Sequence, residues 1–267
     1  MPPKSHPPTH FLCIPLVTTG SRPHLARALT AFRADVCAPA GAGGFAVPEE
    51  AIRPVGTLHL TLGVFSLPCP AGQSNEGLEK AVEILKGLRL REIWARAKVR
   101  TKLPVIPRSG IPEEEKVADG GIRMEEEEGL RITLRGLYSI QSTAKAAVLY
   151  ASPVDPLGRL QAFCEEVRGT FLEADMIIDD KRPLLLHATL VNTIYVRNRK
   201  GTKGGGGRGR SERLTIDATG ILGRYEDELW IEEAEVPSLA ICKMGAKKVI
   251  INGEDDEAYE VVAEVAF

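Results

Sequence analysis

An α+β fold made of two similar halves around a shared cleft is what the chain predicts, on three observations. Segments of strand and helix period are mixed along its 267 residues in the order strand, helix, strand, helix, strands, and then strand, helix, strand again. No repeat of about 20 to 50 residues is visible, which argues against a solenoid. A five-residue pattern, apolar-His-x-Thr-apolar, occurs twice, as Leu58-His59-Leu60-Thr61-Leu62 and Leu186-His187-Ala188-Thr189-Leu190, each time in a strand that follows a helix.

The elements follow in order. Residues 1–8 are Pro-rich and polar, with no apolar core of a secretory signal, and are expected to form a disordered leader. Thr9–Val17 is apolar between turn residues and reads as a strand. Arg22–Cys37 has Pro23 at a helix start and Leu25, Leu29, Phe32 and Val36 at helical spacing. A Gly-rich break over 38–45 leads to the alternating strand Thr57–Leu67. Asn75–Leu90 is a helix with Leu78, Val82, Leu85 and Leu88 on one face.

The stretch 101–129 is acidic and irregular, with Glu113, Glu114, Glu115, Asp119 and Glu125–Glu128, and is expected to be a solvated insertion. Strands are expected over Leu130–Ile140 and Ala144–Ala151, and a helix over Pro156–Phe171 with Leu157, Leu160, Phe163, Cys164 and Val167 inward. Leu184–Tyr195 is a strand, and Leu214–Tyr225 a short helix started by Asp217. The last strands are Glu228–Met244, Lys248–Asn252 and Ala258–Phe267.

Composition narrows the classes of function. Apolar residues make up 43% and charged residues 26%, as in globular proteins, and no stretch approaches the roughly 20 apolar residues of a membrane span. The net charge of -2 names no partner as a sum. Cys13, Cys37, Cys69, Cys164 and Cys242 are odd in number, scattered and without a CxxC pair, which argues against a disulfide framework or a zinc ribbon. They are expected to be reduced thiols of a nuclear or cytoplasmic protein. Neither a cofactor nor a metal is expected: His6, His10 and His24 are too loosely spaced for a ligand set.

The repeated motif carries the chemistry. In a strand, residues two apart share a face. His59 and Thr61 therefore point one way, as do His187 and Thr189, while Leu58, Leu60 and Leu62 point into the core. Imidazole exchanges protons near neutral pH, and a hydroxyl donates to a phosphate oxygen. Two such pairs across a cleft supply a general base, a general acid and two phosphate clamps, a set suited to metal-free, in-line cleavage of a phosphodiester. One histidine meets the pattern by chance about 2% of the time, and two of five about 0.3%.

Paired motifs of this kind, about half a chain apart, resemble those of the two-histidine (2H) phosphoesterases. THFLCIPLV, LHLTLGVF, LLLHATLVNT and LWIEEAEVPSLAICKMGA resemble the branch typified by the A-kinase anchoring protein nuclear-localisation-type domain. Asn192-Thr193 fits the subgroup typified by the C-terminal domain of the first subunit of the activating signal cointegrator 1 complex. The likeness runs over about 9–267. It implies a single bilobal domain over those residues, with two pseudo-symmetric antiparallel sheets, helices outside and a central cleft. It also implies action on 2′,5′ or 2′,3′-cyclic phosphodiesters or RNA 3′ ends, with His59 and His187 as the acid/base pair and Thr61 and Thr189 on phosphate oxygens. That subgroup carries an RNA-binding KH domain upstream, for which only eight residues stand before Thr9 here.

A local substitute is the basic, Gly-rich segment 197–213, with Arg197, Arg199, Lys200, Lys203, Arg208, Arg210 and Arg213 as candidate nucleic-acid contacts. A solubilising loop explains the same composition. The expected partner is an RNA or nucleotide substrate, with a nuclear protein complex as a further candidate, no membrane, and a monomeric state. A second reading is a non-catalytic nucleotide- or RNA-binding scaffold of a nuclear transcription or repair complex. A third is a protein-interaction role for the acidic segment.

Overall fold

The computed structural model describes residues 7–67, 75–97, 129–179, 181–196 and 213–267. The acidic stretch up to residue 128, the basic segment 197–212, Cys69 and His6 lie outside them.

The chain forms β1 (His10–Pro15), α1 (Arg22–Cys37), β2 (His59–Phe65), α2 (Glu76–Gly87), α3 (Leu90–Arg96), β3 (Arg131–Ser139), β4 (Val148–Pro153), α4 (Arg159–Glu173), β5 (Ala188–Asn192), α5 (Thr219–Arg224), β6 (Leu229–Glu235), β7 (Ser238–Ile251) and β8 (Glu254–Ala266). The strands make one antiparallel sheet in the order β6-β3-β4-β5-β2-β1-β7-β8. The two expected sheets are thus two four-stranded halves, each with its motif strand at the inner edge. Leu60 facing Ala188 is the pair that joins them.

The helices interlock the halves. α1 lies between β1 and β2 in sequence but packs on β6, where Phe32 meets Tyr225 and Trp230 edge-on, with ring centroids 4.9 and 5.2 Å apart. α4 lies between β4 and β5 in sequence but packs on β2, with Phe171 against Phe65 and Phe163 against Phe267. Each helix buries the apolar stripe that its spacing predicts: Leu25, Leu29, Phe32 and Val36 in α1, and Leu160, Phe163, Cys164 and Val167 in α4. Leu157 is the exception. It precedes α4 and is 54% exposed, because Gly158 caps a helix that begins at Arg159, three positions later than the sequence suggests.

Asn75 caps α2 by accepting from Leu78 N–H at 3.1 Å. The predicted helix 75–90 breaks at Leu88–Arg89, and α3 begins at Leu90. Asp217 accepts from Thr219 N–H at 3.0 Å at the start of α5. The long strand expected over 228–244 divides at Val236–Pro237, since Pro has no N–H for the ladder. β7 and β8 run further toward each other than predicted. Asn252 and Gly253, at φ 55° and 84°, close them as a two-residue hairpin. Asp256 on that hairpin pairs with Arg22 at 2.8 Å and accepts from Gly56 N–H, tying β8 to the chain just before β2.

Cys13, Cys164 and Cys242 are buried free thiols, with Cys37 partly buried. Cys13 and Cys242 lie 3.9 Å apart, Sγ to Sγ. Among the described residues no helix is long and apolar enough to cross a membrane.

Candidate active site

The site grows out of the alternation in β2 and at the start of β5. Leu58, Leu60 and Leu62, and Leu186, Ala188 and Leu190, are buried against the helices. That anchors one side of both strands and turns His59, Thr61, His187 and Thr189 to the other, where all four are partly open. Counting outward from the antiparallel Leu60–Ala188 pair sets His59 opposite Thr189 and Thr61 opposite His187. The four form a square with the histidines at diagonal corners. Diagonal neighbours of this kind stand about 7–8 Å apart, somewhat less at Cβ, room for one phosphodiester between two imidazoles.

The same local device aims both rings. His59 Nδ1 lies 2.7 Å from the carbonyl oxygen of Thr57, and His187 Nδ1 lies 2.8 Å from that of Leu185, each two residues back. A carbonyl can only accept, so Nδ1 carries the proton in both rings and each Nε2 is left for chemistry. Among the described residues the hydroxyls of Thr61 and Thr189 have no hydrogen-bond partner. They remain able to donate to a ligand.

The two imidazoles sit in different surroundings. His59 is walled by Phe11 (centroids 4.7 Å) and, edge-on, by Tyr259 (5.4 Å). Burial in this cage is the main reason its pKa falls from 6.5 to about 4; the Thr57 carbonyl opposes the fall, and the charges of His187 and Arg53 add to it. His187 has one aromatic neighbour, Tyr150, with centroids 5.4 Å apart. A cavity of about 210 Å³ opens beside His59, lined by Phe11, Cys13, Cys242, Tyr259 and Val261 among others. Two larger concavities lie against α1, one under the β7–β8 hairpin and one beside β6, and neither includes a motif residue.

A bulge in β2 leaves Leu62 without a partner on β1 and sets Gly63 opposite Leu12, on the buried side of the strand. A Cβ there would run into Ile177 Cδ1, so glycine leaves room for Ile177 in the core.

All four motif residues are therefore brought together. Of the basic candidates, Arg197, Arg199, Lys200, Lys203, Arg208 and Arg210 lie outside the described residues. Arg213, where the chain is described again, donates from Nη2 to Asn192 Oδ1 at 2.6 Å. The segment thus leaves from Val196 and returns at the C-terminal end of β5. Tyr225 and Trp230 pack in the core, whereas Tyr138 and Tyr150 line the open face beside His187. Among the described residues no three His, Cys, Asp or Glu side chains are grouped as metal ligands.

Three neighbours of the site escape sequence reading. Phe11 and Tyr259 come from β1 and β8, and only the sheet order brings them to His59. Arg53 reaches the site from the segment before β2, bonding through its backbone N–H to Leu190 O at 2.8 Å. No periodicity marks it.

Comparison with known proteins adds the following. The family described as "AKAP7 2′5′ RNA ligase-like domain" matches residues 8–267. Uncharacterized protein C15D4.13c of Schizosaccharomyces pombe is 31% identical over 121 residues, 45% of this chain and 52% of that protein, so the likeness spans about half of the relative's length. Among solved structures, TT0787 of Thermus thermophilus is 16% identical, with 97% of each chain covered and a TM-score of 0.45. E. coli LigT complexed with ATP is 15% identical, with 98% of each chain covered and a TM-score of 0.43.

Proposed function

Since the chain belongs to the AKAP7 2′5′ RNA ligase-like family of two-histidine phosphoesterases, we propose that it is a phosphodiesterase acting on RNA or oligonucleotide linkages. The substrates proposed are 2′,5′ linkages, 2′,3′-cyclic phosphates or RNA 3′ ends. The observation that carries the reading is the square of His59, Thr61, His187 and Thr189, with both Nδ1 atoms tied back to carbonyls.

In this mechanism the roles of the two histidines follow from their surroundings. His59, held neutral by burial, has a free lone pair on Nε2 and acts as the base. It takes the proton of the attacking water or ribose hydroxyl as the new P–O bond forms. His187, in its protonated form, gives a proton from Nε2 to the leaving oxygen as the old P–O bond breaks. Thr61 and Thr189 donate to the non-bridging oxygens, where negative charge builds up. Each proton transfer contributes roughly 10²- to 10⁴-fold.

The experiment is a panel of 2′,3′-cyclic nucleotides, 2′,5′-oligoadenylate and 3′-ended RNA oligonucleotides, run with and without EDTA. Turnover of at least one, lost in His59→Ala and His187→Ala, is expected. Tight binding with no product from any of them would favour the non-catalytic scaffold instead. Strong inhibition by EDTA would overturn the metal-free mechanism. A nuclear or cytoplasmic location is part of the same proposal, to be read by fractionation.

A further inference from the structure

Beside the square stands a cation without a counter-charge. Arg53 is only 5% exposed, and its Nη2 is buried with no hydrogen-bond acceptor. Among the described residues no carboxylate pairs with it. A buried guanidinium left in this state is costly, and proteins normally pair it. Its surroundings are aromatic. The guanidinium carbon sits 3.9 Å from the centroid of the Tyr195 ring. The Tyr259 hydroxyl lies against both Arg53 and Tyr195, and the Tyr259 ring is the one that walls His59.

The position has a direction. The Arg53 backbone is bonded at Leu190, one residue past Thr189 on β5. Its side chain lies over Tyr195, further toward the C-terminal end of that strand. Arg53 therefore stands outside the square, at the His59 end of the cleft, near enough for its charge to be felt at His59. Tyr195 is the cover. It is 44% exposed and belongs to a short 3₁₀ turn, Thr193–Tyr195, rather than to the sheet. Swinging the ring outward would free Nη2 and exchange a cation–π contact for charge-assisted N–H···O bonds.

We propose that Arg53 anchors a second anion at the His59 end of the cleft, namely a phosphate that flanks the linkage held between the two histidines. That the phosphate flanks the reacting linkage rests on the phosphodiesterase reading; the anion site does not. It makes the protein selective for oligonucleotides that carry a phosphate beyond the reacting one, over cyclic mononucleotides.

The test is equilibrium binding to the full chain in a His187→Ala background, which removes turnover. The probes are 2′,5′-linked adenosine dinucleotides with a terminal phosphate at the 5′ or the 3′ end, each against its hydroxyl form. The phosphate at one end should tighten binding about tenfold or more. Adding Arg53→Gln should bring that ratio to within about twofold of unity, and Arg53→Lys should keep part of it. A ratio near unity before Arg53 is changed, or the same large ratio after Arg53→Gln, would overturn the proposal. If Arg53→Gln does not fold, Tyr195→Ala decides. It should tighten binding of the phosphorylated probe by uncovering Arg53, and an unchanged or weaker affinity would count against the site. A wild-type protein that cleaves nothing yet shows the Arg53-dependent preference would sink the hydrolase reading alone. Cleavage without that preference would sink the anion site alone.

Discussion

Replacing Tyr259 with serine should raise the pKa of His59, and the size of the rise can be worked from the ring cage. The fall from 6.5 to about 4 corresponds to roughly 3 kcal/mol against charging the imidazole, at about 1.36 kcal/mol per pKa unit. Burial is its main cause, and two rings supply the cover, Phe11 at 4.7 Å and Tyr259 at 5.4 Å. Opening one side should return on the order of half of the penalty, which moves the pKa up by about one unit. The imidazole resonances of His59, followed by NMR against pH, read this without any need for turnover. In kcat/KM the ascending limb should lie near pH 4 for the wild type and near pH 5 for Tyr259→Ser. At pH 4.5 the variant should then keep about a third of the wild type's fraction, each relative to its own value at pH 7. The sign for stability is the same. Folded His59 resists protonation, so its contribution is complete above pH 6.5, is lost as the pH falls from 6.5 to about 4, and falls no further below that. A wild-type His59 that titrates at 6.5 or higher, or one that the serine does not move, would refute the cage as the cause.

The other expectations concern the square and the strand that carries half of it. His59→Ala and His187→Ala should each lower kcat/KM by about 10²- to 10⁴-fold with unchanged circular dichroism, and the double variant should be little worse than either, because both act on one reaction. Thr61→Val and Thr189→Val keep shape and remove a donor; each should cost about 10- to 100-fold, mainly in kcat, as steady-state kinetics would show. Gly63→Ala drives a methyl into Ile177 and should destabilise the fold by about 1–3 kcal/mol, read as a lower Tm, with Ile177→Ala in the same chain recovering part of it.

The readable parts of this chain are those where a periodic pattern meets one buried face. α1 falls at Arg22–Cys37 as its spacing predicts, because Leu25, Leu29, Phe32 and Val36 make a continuous stripe behind Ser21 and Pro23. The motif strands are legible for the same reason, since alternate leucines anchor them. Boundaries set by single residues are harder. Gly158 moves the start of α4 past Leu157, and Asn252-Gly253 closes a hairpin that the apolar pattern alone breaks too early. Contacts between distant strands carry no local signal at all. Phe11 and Tyr259 meet His59 because β1, β7 and β8 are neighbours in the sheet, and Arg53 meets Tyr195 because the chain before β2 pairs with the end of β5. The mutual packing of α1 and α4 on opposite halves is likewise a property of topology rather than of either helix.

Four side chains from two strands are proposed to hold a single phosphate. A crystal structure of the protein with a bound nucleoside monophosphate tests this directly. Phosphate oxygens are expected within about 2.6–3.2 Å of Nε2 of His59 and of His187 and of Oγ1 of Thr61 and of Thr189. A nucleotide bound elsewhere, or a phosphate that touches one motif while the other stands beyond its reach, would contradict it.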